Sequence, residues 1–484
     1  MSQLDVIVIG GGIAGLASGA RLADEGYRVR VLEQSESVGG YAGCFERGGY
    51  RFDTGAHHIG GLAEGDVLDR LLTRLGVREE IEAIPSPPLQ ATFGGETVPV
   101  PFSMEELLRV LTEAAPGDRT ALLGITEEIR AFSRALISSD GNAIYEFFKK
   151  WSSVTWGAYL ADRITSLQAL GILSALGPGY GGITANGSAL AMASLLATYH
   201  EGAFYIKGGT HRLPDLLAAA IEQRGGEVWT EASAEQILVE DKRVTGVVCR
   251  RGEDVVEMRA PVVLVASSLR SAYQMIDPAA IGDRFKQRLG QMKVGPSAFR
   301  LYLSAKEGYK PVGNDLLYFP GWDARQWDDD VFYSTFRHSD ERMPATLVCF
   351  PSMVDRSLAP PDAHVMFMTI LTHETEQTAT PELQERMLQI AERMAPGIRG
   401  AALHYEIAVP QTFHRRTRND RGSVFGWERS PEQSLRTNAL APKGALSGLY
   451  VAGQWGPNNG IYGGALTAEA AAVAILSERA KLAL

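Results

Sequence analysis

Cysteine is scarce in this chain of 484 residues, which contains only Cys44, Cys249 and Cys349. Three scattered cysteines are too few for a disulfide framework or a cysteine metal cluster, and this favours a reducing compartment. The 9 histidines include no His-Glu-x-x-His arrangement. We therefore expect no bound metal ion.

Long runs of basic residues and of apolar residues are also missing. Acidic residues outnumber basic ones by 57 to 47, so nucleic acid is not an expected partner. No stretch reaches the roughly 18 consecutive apolar residues of a spanning helix. The N-terminus shows no cationic stretch leading into an apolar one, so no signal peptide is expected. These observations predict a cytoplasmic protein whose membrane contact, if it has any, is peripheral.

The length exceeds the roughly 250–300 residues at which one hydrophobic core stops growing. Alternating strand and helix patterns occupy the start, middle and end of the chain, helical periodicity runs from Ser103 to Tyr199, and strands dominate from Lys293 to Leu371. We predict an α/β fold with a discontinuous Rossmann-like domain (1–80, 205–290 and 405–484) and an inserted α+β substrate-binding domain (81–204 and 291–404). Two sequential domains, the alternative, would leave the terminal strand, turn and helix without a partner sheet.

The strongest motif is a glycine triplet, Gly10, Gly12 and Gly15, set between an apolar strand at residues 6–9 and a helix. The first glycine allows a tight turn, the second lets backbone N–H groups approach a pyrophosphate, and the third lets helix and strand pack closely. Glu33 closes the next strand, where a carboxylate can hold ribose hydroxyls. Together they predict a dinucleotide site.

The other end of the chain indicates which dinucleotide is bound. A strand at 449–452 leads through Gly453 to a predicted turn at Gly463 and Gly464, with a helix after it. A second helix N-terminus suits the ribityl chain and pyrimidine edge of a flavin, where reduction places negative charge. This favours FAD over NAD, although a simple helix-starting turn at Gly463 is the alternative.

Residues 10–15, Glu33, 39–40 and 453–465 resemble the flavoprotein superfamily that includes amine oxidases and bacterial phytoene desaturases. Within it, residues 52–60, 200–209 and 450–454 are most similar to retinol saturases and carotenoid isomerases. The resemblance spans nearly the whole chain. One departure is Tyr41, where many superfamily members carry an arginine, so a phosphate contact from that side chain is in doubt.

The resemblance implies FAD, a long apolar substrate, usually a polyene, and desaturation or saturation of carbon–carbon bonds by hydride transfer at the flavin. Redox-neutral isomerisation with reduced FAD and amine oxidation are the alternatives. For amine oxidation, Lys293 is a candidate lysine, while the stretch 439–448 offers no aromatic residue. Prenyl-protein escort proteins look like this fold without depending on flavin, but both glycine turns and Glu33 argue against that class.

No second glycine fingerprint for a nicotinamide cofactor is present, so quinone, oxygen or an external reductant is the expected electron partner. The residues expected to contact FAD, including Ala56, His57 and Ala234 by resemblance, are Gly10, Gly12, Ile13, Ala14, Gly15, Glu33, Gln34, Gly39, Gly40, Tyr41, Ala56, His57, Ala234, Gly453, Gln454, Gly463, Gly464 and Ala465.

His57 and His58 are the candidate catalytic residues, because by resemblance their segment passes close to the isoalloxazine and an imidazole could exchange a proton there. The alternative is a loop histidine whose hydrogen bonds go to backbone. His200 with Glu201 is a second candidate pair, and Asp53 is expected to fix the loop through backbone donors.

Three further groups of residues have more than one interpretation. The helical block supplies candidate walls for an apolar substrate, each also an ordinary core residue: Trp151, Trp156, Tyr159, Leu167, Leu170, Ile172, Leu173, Leu176, Tyr180 and Leu195. The aromatics within 144–156, beside Lys149 and Lys150, predict peripheral membrane contact or a core helix. The basic residues His414, Arg415, Arg416 and Arg418 are expected to form a solvated face, with contact to a carboxylated or carrier-linked substrate, or to lipid headgroups, as the alternatives.

Overall fold

The computed structural model describes residues 4–327, 343–373, 378–437 and 442–482. Two sequence expectations fall partly outside them: residues 328–342 of the strand-rich stretch, and residues 439–441 of the stretch that offers no aromatic.

Nineteen strands are found in these residues: β1 Val6–Ile9, β2 Val29–Leu32, β3 Cys44–Arg47, β4 Tyr50–Asp53, β5 Ala83–Pro85, β6 Leu89–Phe93, β7 Glu96–Val100, β8 Phe204–Ile206, β9 Glu227–Trp229, β10 Ala232–Glu240, β11 Arg243–Arg251, β12 Asp254–Arg259, β13 Val262–Val265, β14 Ser297–Ala305, β15 Asp315–Phe319, β16 Thr346–Cys349, β17 His364–Thr372, β18 Ala402–Ala408 and β19 Leu449–Val451.

The α-helices in the same ranges are α1 Ile13–Asp24, α2 Val67–Leu75, α3 Met104–Ala114, α4 Arg119–Ser138, α5 Gly141–Trp151, α6 Trp156–Ala161, α7 Leu167–Ser174, α8 Leu176–Gly181, α9 Ala189–Thr198, α10 Arg212–Gln223, α11 Leu269–Gln274, α12 Asp283–Gln291, α13 Pro381–Met394, α14 Ile398–Ala401, α15 Pro410–Thr417, α16 Pro431–Thr437 and α17 Gly460–Leu482.

A five-stranded parallel sheet carries the glycine motif. Its order is β19-β13-β1-β2-β9, so its strands come from the start, middle and end of the chain. β1 and β2 are buried along their whole length, as expected when helices cover both faces of a parallel sheet. Helix α1 packs against α10 and α17. The predicted α/β class is confirmed.

The sharp exit from β1 explains two of the motif glycines. Gly10 has φ of +110°, and a Cβ there would lie 2.9 Å from the carbonyl oxygen of Ala266. A Cβ on Gly15 would lie 1.9 Å from the carbonyl oxygen of Gly10. Strand and helix therefore approach each other so closely that only glycine fits at these positions.

A mixed seven-stranded sheet has the order β18-β14-β17-β16-β15-β6-β7 and is antiparallel except between β15 and β6. Because side chains alternate along a strand, β17 sends Met366, Met368 and Ile370 to one face, where they pack with α13. Phe367 and Leu371 belong to the opposite face and join the core of the helical block. The domain boundaries stay a prediction, and β18 runs across the one placed at residue 405.

The helical block α3–α9 packs its aromatic residues inward. Trp151 is 1% exposed and stacks on Phe147, while Lys149 and Lys150 pair with Glu146 and Glu128. Trp151 and Trp156 therefore belong to the core, which favours the core-helix interpretation of residues 144–156.

One further segment bears on membranes. Residues Gly460–Glu478 of α17 are long and apolar enough to cross a bilayer, but half of that window is buried inside the molecule. Its packing against α1 accounts for this apolar composition.

Candidate functional site

A continuous cleft of about 1360 Å³ is lined by residues of both large sheets. We call the part around Gly10, Glu33, Gly39 and Gly453 the glycine end, and the part around His57, His58, Tyr180, Leu347 and Phe367 the histidine end. Sites for one small molecule typically have roughly 300–1,000 Å³. The cleft therefore has room for a long cofactor and a second molecule.

Two backbone N–H groups fix the Glu33 carboxylate at the glycine end. Gly11 N donates to Oε2 over 2.8 Å, and Ser35 N donates to Oε1 over 2.8 Å. A carboxylate oxygen accepts more than one hydrogen bond. Glu33, which lines the cleft, can therefore still accept from ribose hydroxyls.

The N-terminus of α1 is open to the same end. Its N-cap, Gly12, provides no capping side chain, and the first turn contains no acidic residue. A Cβ at Gly12 would meet no atom within 4 Å. Uncapped N–H groups facing an open cleft are suited to phosphate oxygens.

The C-terminal turn differs from its prediction in one respect. Helix α17 begins at Gly460, so Gly463, Gly464 and Ala465 lie inside the helix and not in a turn before it. Gly464 packs against α1, since a Cβ there would lie 3.4 Å from Ile13 Cγ2. Two helix N-termini therefore converge on one cleft.

Most residues expected to contact FAD line this cleft, namely Gly10, Gly12, Ile13, Ala14, Glu33, Gln34, Gly39, Gly40, Tyr41, Ala56, His57, Ala234, Gly453, Gln454 and Gly464. Three, Gly15, Gly463 and Ala465, are not among the lining residues. Ala234 lies within β10. Actual contact with the cofactor stays a prediction for all of them.

Unpartnered buried polar atoms indicate that the glycine end is built for a ligand. Gln454 Nε2 and Ser267 Oγ are buried, have no hydrogen-bond partner among the described residues, and belong to residues lining the cleft. Leaving such groups unpaired costs about 1–3 kcal/mol each. Carbonyl, hydroxyl and phosphate oxygens of FAD would satisfy them, so the residues present fit this cofactor.

The histidine end is mostly apolar. Its walls come from the seven-stranded sheet (Ala298, Leu347, Phe367 and Leu371), from helix α15 (Phe413) and from the loop that contains Val424 and Phe425. Of the ten wall candidates in the helical block, Tyr180 lines the cleft; Leu167 is exposed and the others belong to the core. The sequence therefore identified one lining residue of this block, Tyr180, and otherwise selected core residues, because a buried residue follows the same pattern in a core as in a pocket.

Arg300 and Tyr302, which the sequence reading missed, fix the loop before His57. Arg300 Nη1 donates to the carbonyls of Thr54 and Gly55 over 3.2 and 3.1 Å, and Tyr302 Oη donates to Thr54 over 2.9 Å. The Arg300 guanidinium also lies 3.9 Å from the ring centre of Phe367. No motif marks them, since they lie about 245 positions from the loop.

His57 and His58 contact three residues that the sequence did not single out as site residues, Asp315, Cys349 and Ser86. His57 Nε2 lies 3.1 Å from Cys349 Sγ and 3.5 Å from Asp315 Oδ1. His58 bonds Asp315 Oδ2 through Nε2 over 2.9 Å and Ser86 Oγ through Nδ1 over 2.7 Å. We call these five residues the histidine cluster.

Burial and mutual contact set the charges in this cluster. Burial, reinforced by the neighbouring His58, lowers the pKa of His57 to about 4, so this imidazole is neutral at neutral pH. The two imidazoles hold the pKa of the Asp315 carboxyl well below its usual range, against the effect of burial. Burial, with the nearby Asp315 carboxylate, raises the pKa of the Cys349 thiol well above its usual value.

Three residues of the histidine cluster are also spaced as metal ligands could be. Ligand atoms of His57, Asp315 and Cys349 lie within 4.8 Å of one another, a spacing that a metal ion would also accept. Contacts inside the cluster already engage His57 Nε2 with both partners. We interpret the group as side chains in mutual contact, in which Asp315 Oδ1 has no hydrogen-bond partner among the described residues, and the expectation of no metal stays a prediction.

Two other candidates have structural roles. Asp53 accepts from the Thr210 backbone N–H and hydroxyl and from Tyr205 Oη, which confirms that it fixes the loop. His200 bonds Ser133 and contacts Glu201, and it is absent from the cleft lining.

The basic residues at 414–418 line the cleft, whereas Lys293 lies away from it. His414, Arg415, Arg416 and Arg418 are exposed and line the cleft beside Gln34, which accepts from Arg418 Nε over 2.9 Å. Lys293 has a 64% exposed side chain, contacts Glu428, and does not line the cleft.

Comparison with known proteins identifies relatives of this chain. The chain is 28% identical over 383 residues to human all-trans-retinol 13,14-reductase, covering 73% of this chain but only 62% of that relative. It is 23% identical to the chloroplastic prolycopene isomerase of Arabidopsis thaliana, covering 93% and 79%. It is 23% identical to the carotenoid 3,4-desaturase of Haloarcula japonica, covering 94% of each.

The fold is also found among solved structures. Cyclohexylamine oxidase from Brevibacterium oxydans superposes with a TM-score of 0.60 at 17% identity, covering 99% of both chains. The sequence profile described as flavin containing amine oxidoreductase matches residues 13–476. With the cleft described above, this match establishes FAD as the cofactor. The chain belongs to the family of flavin containing amine oxidoreductases.

Proposed function

We propose that this protein is an FAD-dependent oxidoreductase that desaturates or saturates carbon–carbon bonds of a long apolar substrate, a polyene of carotenoid or retinoid type. The observation that carries the proposal is the histidine end of the cleft. Apolar residues of β14, β16 and β17 line it together with His57 and His58. FAD supplies the exchange of an electron pair, and the protein supplies binding and orientation.

The relatives support the substrate class. Their printed names concern retinol, prolycopene and a carotenoid, all of which are polyenes. The apolar walls suit such molecules, since each buried CH₂ of a ligand contributes about 0.8 kcal/mol.

The test is incubation of the holoprotein, oxidised and chemically reduced, with all-trans-retinol, prolycopene and a saturated analogue. We expect flavin absorbance to change with one of the polyenes and the product mass to shift by two hydrogens per bond. No flavin response to any polyene, together with peroxide release from an amine, would contradict the proposal.

Isomerisation is the second candidate, favoured by similarity to the prolycopene isomerase across 93% of this chain. It predicts a product of unchanged mass and altered double-bond geometry, formed only when FAD is reduced. Amine oxidation is less well supported, because no lysine lines the cleft among the described residues.

A variant pair tests whether the substrate lies against the seven-stranded sheet. Thr369 lines the cleft and is half-buried, whereas Thr97 is exposed on the same sheet. Thr369→Trp should weaken polyene binding at least about tenfold, a loss of about 1.4 kcal/mol, by occupying the cleft. Thr97→Trp, the control, should leave binding unchanged. Equal polyene affinity in both variants would show that the polyene does not bind against this wall.

The electron partner is also a proposal. We propose that quinone, oxygen or an external reductant exchanges electrons with FAD, since the sequence has no second glycine fingerprint for a nicotinamide cofactor. Anaerobic mixing of the reduced holoprotein with a soluble quinone, and separately with oxygen, measures which of them reoxidises the flavin faster. A faster reoxidation by NAD or NADP than by either would contradict it.

Cytoplasmic location and peripheral membrane contact likewise stay proposals. Phe147 and Phe148 are only partly buried, so contact through α5 is testable by co-sedimentation with anionic liposomes. Replacing both phenylalanines by serine should reduce sedimentation, and no change would refute contact through this helix.

A further inference from the structure

The proposed reaction needs a proton donor or acceptor at the substrate carbon, because an electron pair moves with only one of the two hydrogens. The histidine end offers the ionisable side chains of the histidine cluster among apolar walls. His57 and His58 line the cleft, whereas Asp315 and Cys349 are buried behind them and do not line it. An imidazole therefore stands between the cleft and the buried groups.

The Asp315 carboxylate is 1% exposed, and its ion-pair partners among the described residues are the two imidazoles. A buried carboxylate without a counter-charge is very costly. Electroneutrality therefore requires one proton within this group, and because the two imidazoles lower the pKa of Asp315, an imidazole is the site that it favours. His58, which bonds Asp315 over 2.9 Å and Ser86 over 2.7 Å, is the better placed of the two to hold it.

His57 is placed to use that proton. Its Nε2 is engaged by Cys349 and Asp315, so Nδ1 is the ring nitrogen that can serve the cleft. Tyr180, whose ring centre lies 5.7 Å from that of His57, has a buried hydroxyl with no partner among the described residues. His57 Nδ1 and the Tyr180 hydroxyl can therefore form hydrogen bonds with a ligand in the cleft.

We propose that His57 is the catalytic acid–base residue of this enzyme, that Asp315 and His58 form the pair that stores its proton, and that Cys349 positions the ring. The assignment rests on the proposed function. The titratable or charged groups that face His57 are His58 on its own loop, Asp315, Cys349, Tyr180 and Arg300.

In the saturating direction the substrate π bond breaks. Bound reduced FAD would supply one carbon with a hydrogen and its electron pair, and would itself be oxidised, while the other carbon gains the proton of His57 Nδ1. The proton held between His58 and Asp315 passes to His57 Nε2, so the imidazole stays neutral and the cluster has lost one proton, regained from water. Desaturation is the reverse, with the cluster gaining the proton while FAD is reduced.

The experiment compares His57→Gln with His364→Gln in the holoprotein. His364 is also buried and hydrogen-bonded, to Ser352, but does not line the cleft. With whichever polyene the wild type converts, we expect His57→Gln to lower kcat by about 10²–10⁴-fold with FAD content and KM nearly unchanged. His364→Gln should stay within about threefold of the wild type.

Three further variants separate proton storage from a purely structural role. Asp315→Asn and His58→Gln should lower kcat less than His57→Gln does and should shift the pH profile of kcat, whereas Cys349→Ser should keep the wild-type profile. His57→Gln with wild-type kcat, or an unchanged pH profile in both pair variants, would overturn the proposal.

One readout does not depend on turnover. In ¹⁵N-histidine spectra we expect His57 to stay neutral at neutral pH and the protonated imidazole to vanish in Asp315→Asn. If the wild type converts no polyene while these spectra appear as described, the proposed substrate is wrong and the proton store stands. An imidazole pair that is wholly neutral in the wild type, or stoichiometric zinc lost in Cys349→Ser, would overturn the proton store itself.

Discussion

The two ends of the cleft are built in opposite ways. At the glycine end, Gly11 and Glu33 bond each other from positions 22 residues apart. At the histidine end, His57 and Cys349 are 292 residues apart, and His58 and Asp315 are 257 apart. A site made by one strand–helix–strand unit leaves a pattern of fixed spacing in the sequence, whereas a site made by convergence of distant loops and strands does not.

The largest expected effect is a loss of stability at the glycine end, where some glycines are required by close packing and others leave room for the cofactor. A Cβ at Gly15 would collide with the Gly10 carbonyl oxygen at 1.9 Å, whereas a Cβ at Gly12 would meet nothing within 4 Å. Gly15→Ala should lower the free energy of unfolding by roughly 3–5 kcal/mol, measured on FAD-free protein in denaturant. Gly12→Ala should unfold like the wild type but bind FAD weakly. Equal stability of both variants would contradict this division of roles.

At the histidine end, the buried His57 should make the free energy of unfolding depend on pH. Burial and His58 lower the folded pKa of His57 to about 4, from about 6.5 when unfolded. Between these values the unfolded chain binds a proton that the folded chain does not. Stability should therefore fall by up to about 3 kcal/mol as pH drops from 6.5 to 4.

Denaturant midpoints at several pH values check this expectation. His57→Gln should flatten the slope, and His404→Gln, which changes an exposed histidine on β18, should not. The Asp315 contribution, lost only below about pH 4 because its folded pKa is depressed, falls outside this window. A slope unaltered by His57→Gln would mean that this imidazole is not buried neutral.

A smaller effect is expected at Glu33, and it compares affinity with stability. Glu33→Gln leaves one side-chain acceptor for the two N–H groups of Gly11 and Ser35. Hydrogen bonds to a charged group contribute about 1.5–3 kcal/mol, so FAD affinity should fall roughly 10–150-fold. Fluorescence titration of the FAD-free protein measures it. Undiminished affinity would show that the carboxylate serves the loop alone.

The smallest effect concerns the contact that joins the glycine end to a more distant loop. Tyr41 Oη donates to the carbonyl of Ser423 over 2.9 Å. Tyr41→Phe removes this bond, and the free energy of unfolding should fall by about 1 kcal/mol with little change in FAD affinity. A loss of FAD binding larger than the loss of stability would instead place the hydroxyl on the cofactor.

These contrasts explain what sequence reasoning could reach. The parallel sheet, Gly10 to Gly15 and Glu33 were predictable, because close packing admits only glycine and the spacing is local. The start of α17 was misplaced because Gly463 and Gly464 suggest a turn, yet both lie inside the helix, where Gly464 packs against Ile13 and Gly463 against Asn458. Asp315 and Cys349 carried no signal, since a single aspartate or cysteine at a strand end has many uses.

The order of strands in the parallel sheet also constrains how the protein is made. The edge strand β19 and helix α17, which cover β13 and α1, are synthesised more than 400 residues after β1. Contacts of such long sequence separation form slowly and leave apolar surface exposed in the meantime. The nascent chain therefore carries an incomplete parallel sheet until β19 and α17 have been synthesised, so its dependence on chaperones should be greatest just before these two elements emerge from the ribosome.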